Sequence, residues 1–112
     1  MTSPRGLAIK TSLLTIGALG LAAPAGAAAG QQYVVSIANM AYGAMPTGLK
    51  AGDSIVFVNK DSVPHTVTAR DHSFDLRIGP GQRGRLNLTK AGTYQIYCIF
   101  HAPMRGTLTV GG

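Results

Sequence analysis

Thr93-Tyr94-Gln95-Ile96-Tyr97-Cys98, running on into Ile99-Phe100-His101-Ala102-Pro103-Met104-Arg105-Gly106, is the stretch that decides the fold. Successive side chains of a strand point to opposite faces, so Tyr94, Ile96 and Cys98 share one face. If Ile96 points into a core, Cys98 points inward too, at the strand's end. Alternation alone therefore puts the chain's single cysteine at the rim of a core, beside the loop that follows.

Working outward, the same two-residue alternation recurs at Tyr33–Ala38, Ser54–Asn59, His65–Ala69, Phe74–Ile78, Gly84–Leu88 and Gly106–Val110. Turn residues separate these runs, at Met45-Pro46-Thr47-Gly48, Asn59-Lys60-Asp61-Ser62, Gly79-Pro80-Gly81 and Lys90-Ala91-Gly92. Short strands at regular spacing predict an all-β sandwich or barrel of about seven strands. Residues 30–112 carry no helical period. His65 opens its strand on the side of Val67 and Ala69, another inward-facing strand end.

The first 29 residues read differently. Arg5 and Lys10 give a short positive region, Leu13, Leu14, Ile16, Leu19 and Leu21 an apolar one, and Ala23 to Ala29 a small-residue exit. That order is the pattern of a secretory signal peptide. Cleavage after Ala27 or Ala29 fits; the boundary is placed after Ala29, giving a leader over 1–29 and one domain over 30–112. An uncleaved anchor fits less well, because the stretch is rich in Gly and Ala and ends without a stop-transfer charge cluster. The pattern predicts export by the general secretory route to a periplasmic or otherwise extracytoplasmic location, with no membrane insertion once the leader is removed.

Of ten basic residues, Arg5 and Lys10 lie in the leader, which leaves eight against four acidic, a net charge of +4. Given export, this balance suits an acidic protein partner rather than nucleic acid. Gly79-Pro80-Gly81-Gln82-Arg83-Gly84 lacks the Gly-Lys-Ser/Thr ending and following helix of a phosphate loop, and reads as a turn. A lone cysteine cannot close an internal disulfide, although an exported domain would permit one. A metal would explain it.

Cys98, His101 and Met104 offer thiolate, imidazole and thioether at i, i+3 and i+6, and His65 offers a second imidazole 33 residues upstream. Each alone is more often a packing residue. Together, one thiolate, two imidazoles and a weak axial thioether make the donor set of a blue-copper centre. Structural zinc usually takes more cysteines, and catalytic zinc leaves open the position that Met104 would fill. His72, in the polar turn Arg70-Asp71-His72-Ser73, reads as a solvated residue, and Met40 and Met45 as packing or surface residues.

Val63-Pro64-His65-Thr66-Val67 and Gly92 through Gly106 together resemble the plastocyanin/azurin group of cupredoxins, and the short ligand loop is similar to the amicyanin type. The likeness reaches Ile37-Ala38-Asn39-Met40 and Val58-Asn59, and so covers essentially residues 33–110. It implies a Greek-key β-sandwich of seven to eight strands holding one type 1 copper ion. His65, Cys98 and His101 would be its in-plane ligands and Met104 the axial one. It further implies that Asn59 helps tie the two ligand loops together. His101 would stand exposed within an apolar docking patch of Met40, Val63, Pro64, Phe100, Ala102 and Pro103.

Three functions follow from such a site. The leading expectation is a monomeric carrier of single electrons between redox partner proteins (a dehydrogenase, cytochrome or oxidase), with no substrate transformed. The alternative is an extracytoplasmic copper-binding carrier or sequestering protein using the same ligands. An enzyme of this fold would need further histidine ligands, and only His72 remains.

Overall fold

A computed structural model describes residues 30–112; the expected leader over 1–29 lies outside the described residues. Nine strands follow in order: β1 (Gln32–Ala38), β2 (Ala41–Tyr42), β3 (Leu49–Lys50), β4 (Ser54–Asn59), β5 (His65–Ala69), β6 (Asp75–Ile78), β7 (Arg83–Asn87), β8 (Gly92–Cys98) and β9 (His101–Gly111). They form a four-stranded sheet, β2-β1-β4-β7, and a five-stranded sheet, β3-β9-β8-β5-β6. The expected all-β sandwich is observed, and the described residues form no helix.

The expected bounds of β4 and β5 coincide with the observed ones. Two differences have simple causes. β2 and β3 have two residues each, too few to show an alternation. β9 begins at His101 rather than Gly106, because Ile99 and Phe100 form a two-residue turn that lets the chain pair back on β8 at once. The sheets also contain two parallel pairings, β1 with β4 and β3 with β9.

Alternation fills the space between the sheets. Val35, Ile37, Ile55, Phe57 and Leu86 point inward from one sheet, and Val67, Ile78, Ile96, Leu108 and Val110 from the other. Tyr42 meets Phe57 edge-on, with ring centroids 6.3 Å apart, a favoured aromatic geometry. Gly84 lies where β7 runs close under β6: a Cβ there would sit 3.1 Å from Ile78 Cγ1 and 3.2 Å from Leu76. Phe57 is fully buried, so truncation leaves a cavity that the sheets cannot close. Phe57→Ala is expected to lower stability by about 3–5 kcal/mol, read as a reduced urea midpoint at unchanged slope.

Candidate metal centre

The centre forms where one β ladder stops. β5 and β8 pair only at Thr68 with Tyr97 and Ala69 with Ile96. Beyond that β5 and β8 part around His65, Thr66 and Cys98, and β8 shifts its register against β9 between Tyr97 and Cys98. Such breaks leave backbone groups that need other partners. Thr66 supplies them. Its amide donates to Cys98 Sγ at 3.4 Å, its hydroxyl accepts the Ile99 amide at 3.0 Å, and its carbonyl accepts the Tyr42 hydroxyl at 2.5 Å. Burial, and secondarily the charge of Cys98, pushes the Tyr42 hydroxyl well above its ordinary pKa, which keeps it a donor.

Cys98 and His101 face each other across the Ile99–Phe100 turn. The spacing of two residues between thiol and imidazole is therefore the spacing of a tight hairpin, which puts opposed side chains on one face. The His101 and His65 rings meet edge to face, with centroids 5.0 Å apart. Met104 is buried in the same core cluster as Cys98. The fold thus brings His65, Cys98 and His101 close together, with Met104 buried in the core.

His65 is fully buried and held from behind. Its Nε2 lies 2.8 Å from Asp61 Oδ2. Asp61 Oδ2 also accepts the Met40 amide at 3.0 Å, and Oδ1 the Asn39 amide at 2.8 Å. Those amides, Met40 foremost, and the His65 hydrogen bond hold the Asp61 carboxyl below its ordinary value. An ionised carboxylate only accepts, so Nε2 carries the proton and Nδ1 presents its lone pair. Nδ1 faces Cys98 Sγ at 3.8 Å. Metal bonds of about 2.0 Å to nitrogen and 2.3 Å to sulfur, opening at about 120°, would leave roughly 3.7 Å between donors. The pair stands at the spacing of two ligands on one ion. Among the described residues, no three His, Cys, Asp or Glu side chains form a closed ligand cluster.

Two residues here escaped the sequence reading. Asp61 sits in a stretch legible only as a turn, although a carboxylate four residues before a ligand candidate was a usable signal. Thr66 carried no signal, because its role depends on where the ladder ends. Asn59 departs from the expected role. Its buried Nδ2 donates to the carbonyls of Val63 (2.8 Å), Gly79 (3.1 Å) and Ile78 (3.2 Å), and its Oδ1 accepts the Asp61 amide (2.9 Å). It ties the loop before His65 to the β6–β7 turn. Thr66 makes the tie to the Cys98 segment. His72 lies exposed in its turn, with φ 68°. Met45 packs against the core.

Around this end the surface is apolar. Phe100 is 50% exposed, Met40 46% and Ile99, absent from the expected patch, 39%. Pro64, Ala102 and Pro103 are exposed, while Val63 and His101 are partly buried.

The family described as the cupredoxin-like domain matches residues 11–110. The match and the two-sheet fold define the class: the chain belongs to the cupredoxin family. Within that class it is similar to amicyanin of Paracoccus denitrificans, 35% identical over 83 residues that cover 69% of this chain and 63% of the relative. The chain thus spans under two thirds of that relative's length. It is 29% identical to the chloroplastic plastocyanin of Silene latifolia subsp. alba, over 98% of this chain and 80% of the relative. A Cu(I) form of a mutant amicyanin superposes with a TM-score of 0.62 at 33% identity, covering 73% of this chain and 84% of that one. Amicyanin from Paracoccus versutus gives 0.60 at 26%, covering 70% and 80%. The match to the family begins inside the stretch read as a leader, whereas the described fold begins at Gly30.

The depressed Asp61 pKa fixes a sign. Folding favours its carboxylate, so the associated stability is present above the ordinary value of 3.8 and is lost as pH falls through the lower folded value. The wild-type protein is expected to lose stability below pH ~4 more steeply than Asp61→Asn, measured as urea midpoints at several pH values.

Proposed function

We propose that the chain is an exported one-electron carrier whose single type 1 copper ion would be held by His65 Nδ1, Cys98 Sγ, His101 and Met104. The observation that carries this reading is the 3.8 Å separation of His65 Nδ1 from Cys98 Sγ, with the far side of the imidazole already committed to Asp61. Copper bound there supplies one chemistry, the gain and loss of a single electron between Cu(I) and Cu(II). The protein supplies the rest. Asp61 fixes the tautomer and ring orientation of His65. The Thr66 amide hydrogen bond places partial positive charge against the sulfur. Burial of Cys98 and Met104 excludes water from the donors.

His101, partly exposed within the apolar patch of Met40, Ile99 and Phe100, gives a partner protein its closest approach. The net charge of +4 over residues 30–112 steers acidic redox partners toward the protein at low salt. A shuttle is favoured over a copper-handing carrier because, of the spare donors, only Met40 lies beside the site, where its amide is bound to Asp61. Met45 packs in the core and His72 caps the β5–β6 turn. The segment over 1–29 supports an extracytoplasmic location, with the mature domain beginning after Ala29.

Three results test these statements. The Cu(II)-loaded protein is expected to be intensely blue, and Cys98→Ser to bind without that colour while remaining folded by far-ultraviolet circular dichroism. A colourless wild-type copper form would refute the site. Phe100→Glu is expected to slow electron self-exchange severalfold, by nuclear magnetic resonance line broadening, because it places charge in the apolar patch. Mass spectrometry of secreted protein is expected to show Gly30 as the first residue.

A further inference from the structure

The ladder break that exposes the site leaves a chain of buried polar groups leading away from it. The Ile99 amide donates to Thr66 Oγ1 at 3.0 Å. Thr66 Oγ1 lies 2.8 Å from Thr68 Oγ1, and the Thr68 hydroxyl donates to Asp75 Oδ1 at 2.8 Å. The first threonine is fully buried and the second nearly so, although both belong to β5. Asp75 stands on the edge strand β6, opposite Thr68 in the register, and its Oδ2 meets Arg77 in an exposed pair at 3.4 Å. Nothing in the electron-carrier reading uses Thr68, Asp75 or Arg77.

The chain has only one self-consistent direction. A carboxylate accepts and never donates, so Asp75 takes the Thr68 proton. Thr68 can then only accept from Thr66, whose remaining lone pairs face the Ile99 amide. Aligned bonds of this kind polarise one another in a low-dielectric interior. The exposed Arg77 pair adds little energy; it holds the outer end in place.

We propose that Asp75 is a remote positioning residue for the metal-binding hairpin, acting through the Thr68 and Thr66 hydroxyls to hold the Ile99 amide. The Ile99 peptide follows Cys98 directly and opens the turn that sets Cys98 against His101. The relay therefore holds the turn between sulfur and His101 from the neighbouring edge strand. Its bearing on copper rests on the function proposed above. The hydrogen-bond relay itself does not, and can be read without metal.

The test is amide hydrogen exchange at Ile99 in the full-length folded domain, with and without Cu(II), for Thr68→Val, Thr68→Ser, Asp75→Ala and the Thr68→Val/Asp75→Ala pair. Thr68→Val keeps the shape and removes the hydroxyl. It is expected to speed Ile99 exchange about threefold to tenfold, the span of a lost net hydrogen bond. Thr68→Ser is expected to restore slow exchange. Asp75→Ala is expected to act in the same direction, and the pair to exchange no faster than Thr68→Val alone, since both cut one chain. The blue absorption band is expected to move in Thr68→Val and to return in Thr68→Ser. Unchanged Ile99 exchange in both single variants, or effects that simply add, would overturn the relay. If Thr68→Val does not fold, Asp75→Ala decides alone: unchanged exchange refutes the proposal. A wild-type protein that never turns blue would refute the copper site while leaving the exchange result to judge the relay.

Discussion

The centre depends on one interruption. β5 and β8 are hydrogen-bonded neighbours at Thr68 and Ala69 and cease to be so at His65 and Thr66. A continuous ladder there would have paired the Thr66 amide with backbone and closed the space beside Cys98. With the ladder ended, that amide donates to sulfur instead. A buried thiolate needs such a donor, because charge in an apolar interior is costly unless hydrogen-bonded or metal-bound. The break and the buried sulfur fit one another.

Everything near the break is held from behind. Asp61 anchors His65 and also accepts both amides of the Asn39–Met40 turn, whose residues have φ of 55° and 58°. Left-handed backbone is uncommon for residues other than glycine; two anchored amides hold the turn in that conformation. Asn59 anchors Asp61 in turn through its Oδ1. One side of the apolar surface, at Met40, is thereby joined to a buried imidazole by a single carboxylate. A site so fixed changes little in shape with the charge it carries, which suits an electron carrier.

Much of this was legible in the sequence. Alternation through Tyr94, Ile96 and Cys98 placed the thiol inward, and the fold buries it. The runs Ser54–Asn59 and His65–Ala69 were readable to the residue, because turn residues bracket each of them. The parallel pairing of β1 with β4 was not readable, since register between distant strands is not written in local periodicity. Neither was β2 or β3, each a single pair of residues. Asn59 showed itself as a buried polar hub, but its partners depended on how closely the β6–β7 turn approached it. Thr66 and Thr68 looked like ordinary strand residues. Their work is set by the point where pairing ends, a property of two strands at once.

The central claim is that one thiolate and two imidazoles share a single ion. X-ray absorption at the copper edge of the loaded, oxidised protein reads that first shell directly. The account predicts one strongly bound sulfur scatterer with two imidazole nitrogens, and loss of the sulfur contribution in Cys98→Ser. A shell of nitrogen and oxygen alone in the wild-type protein would contradict it.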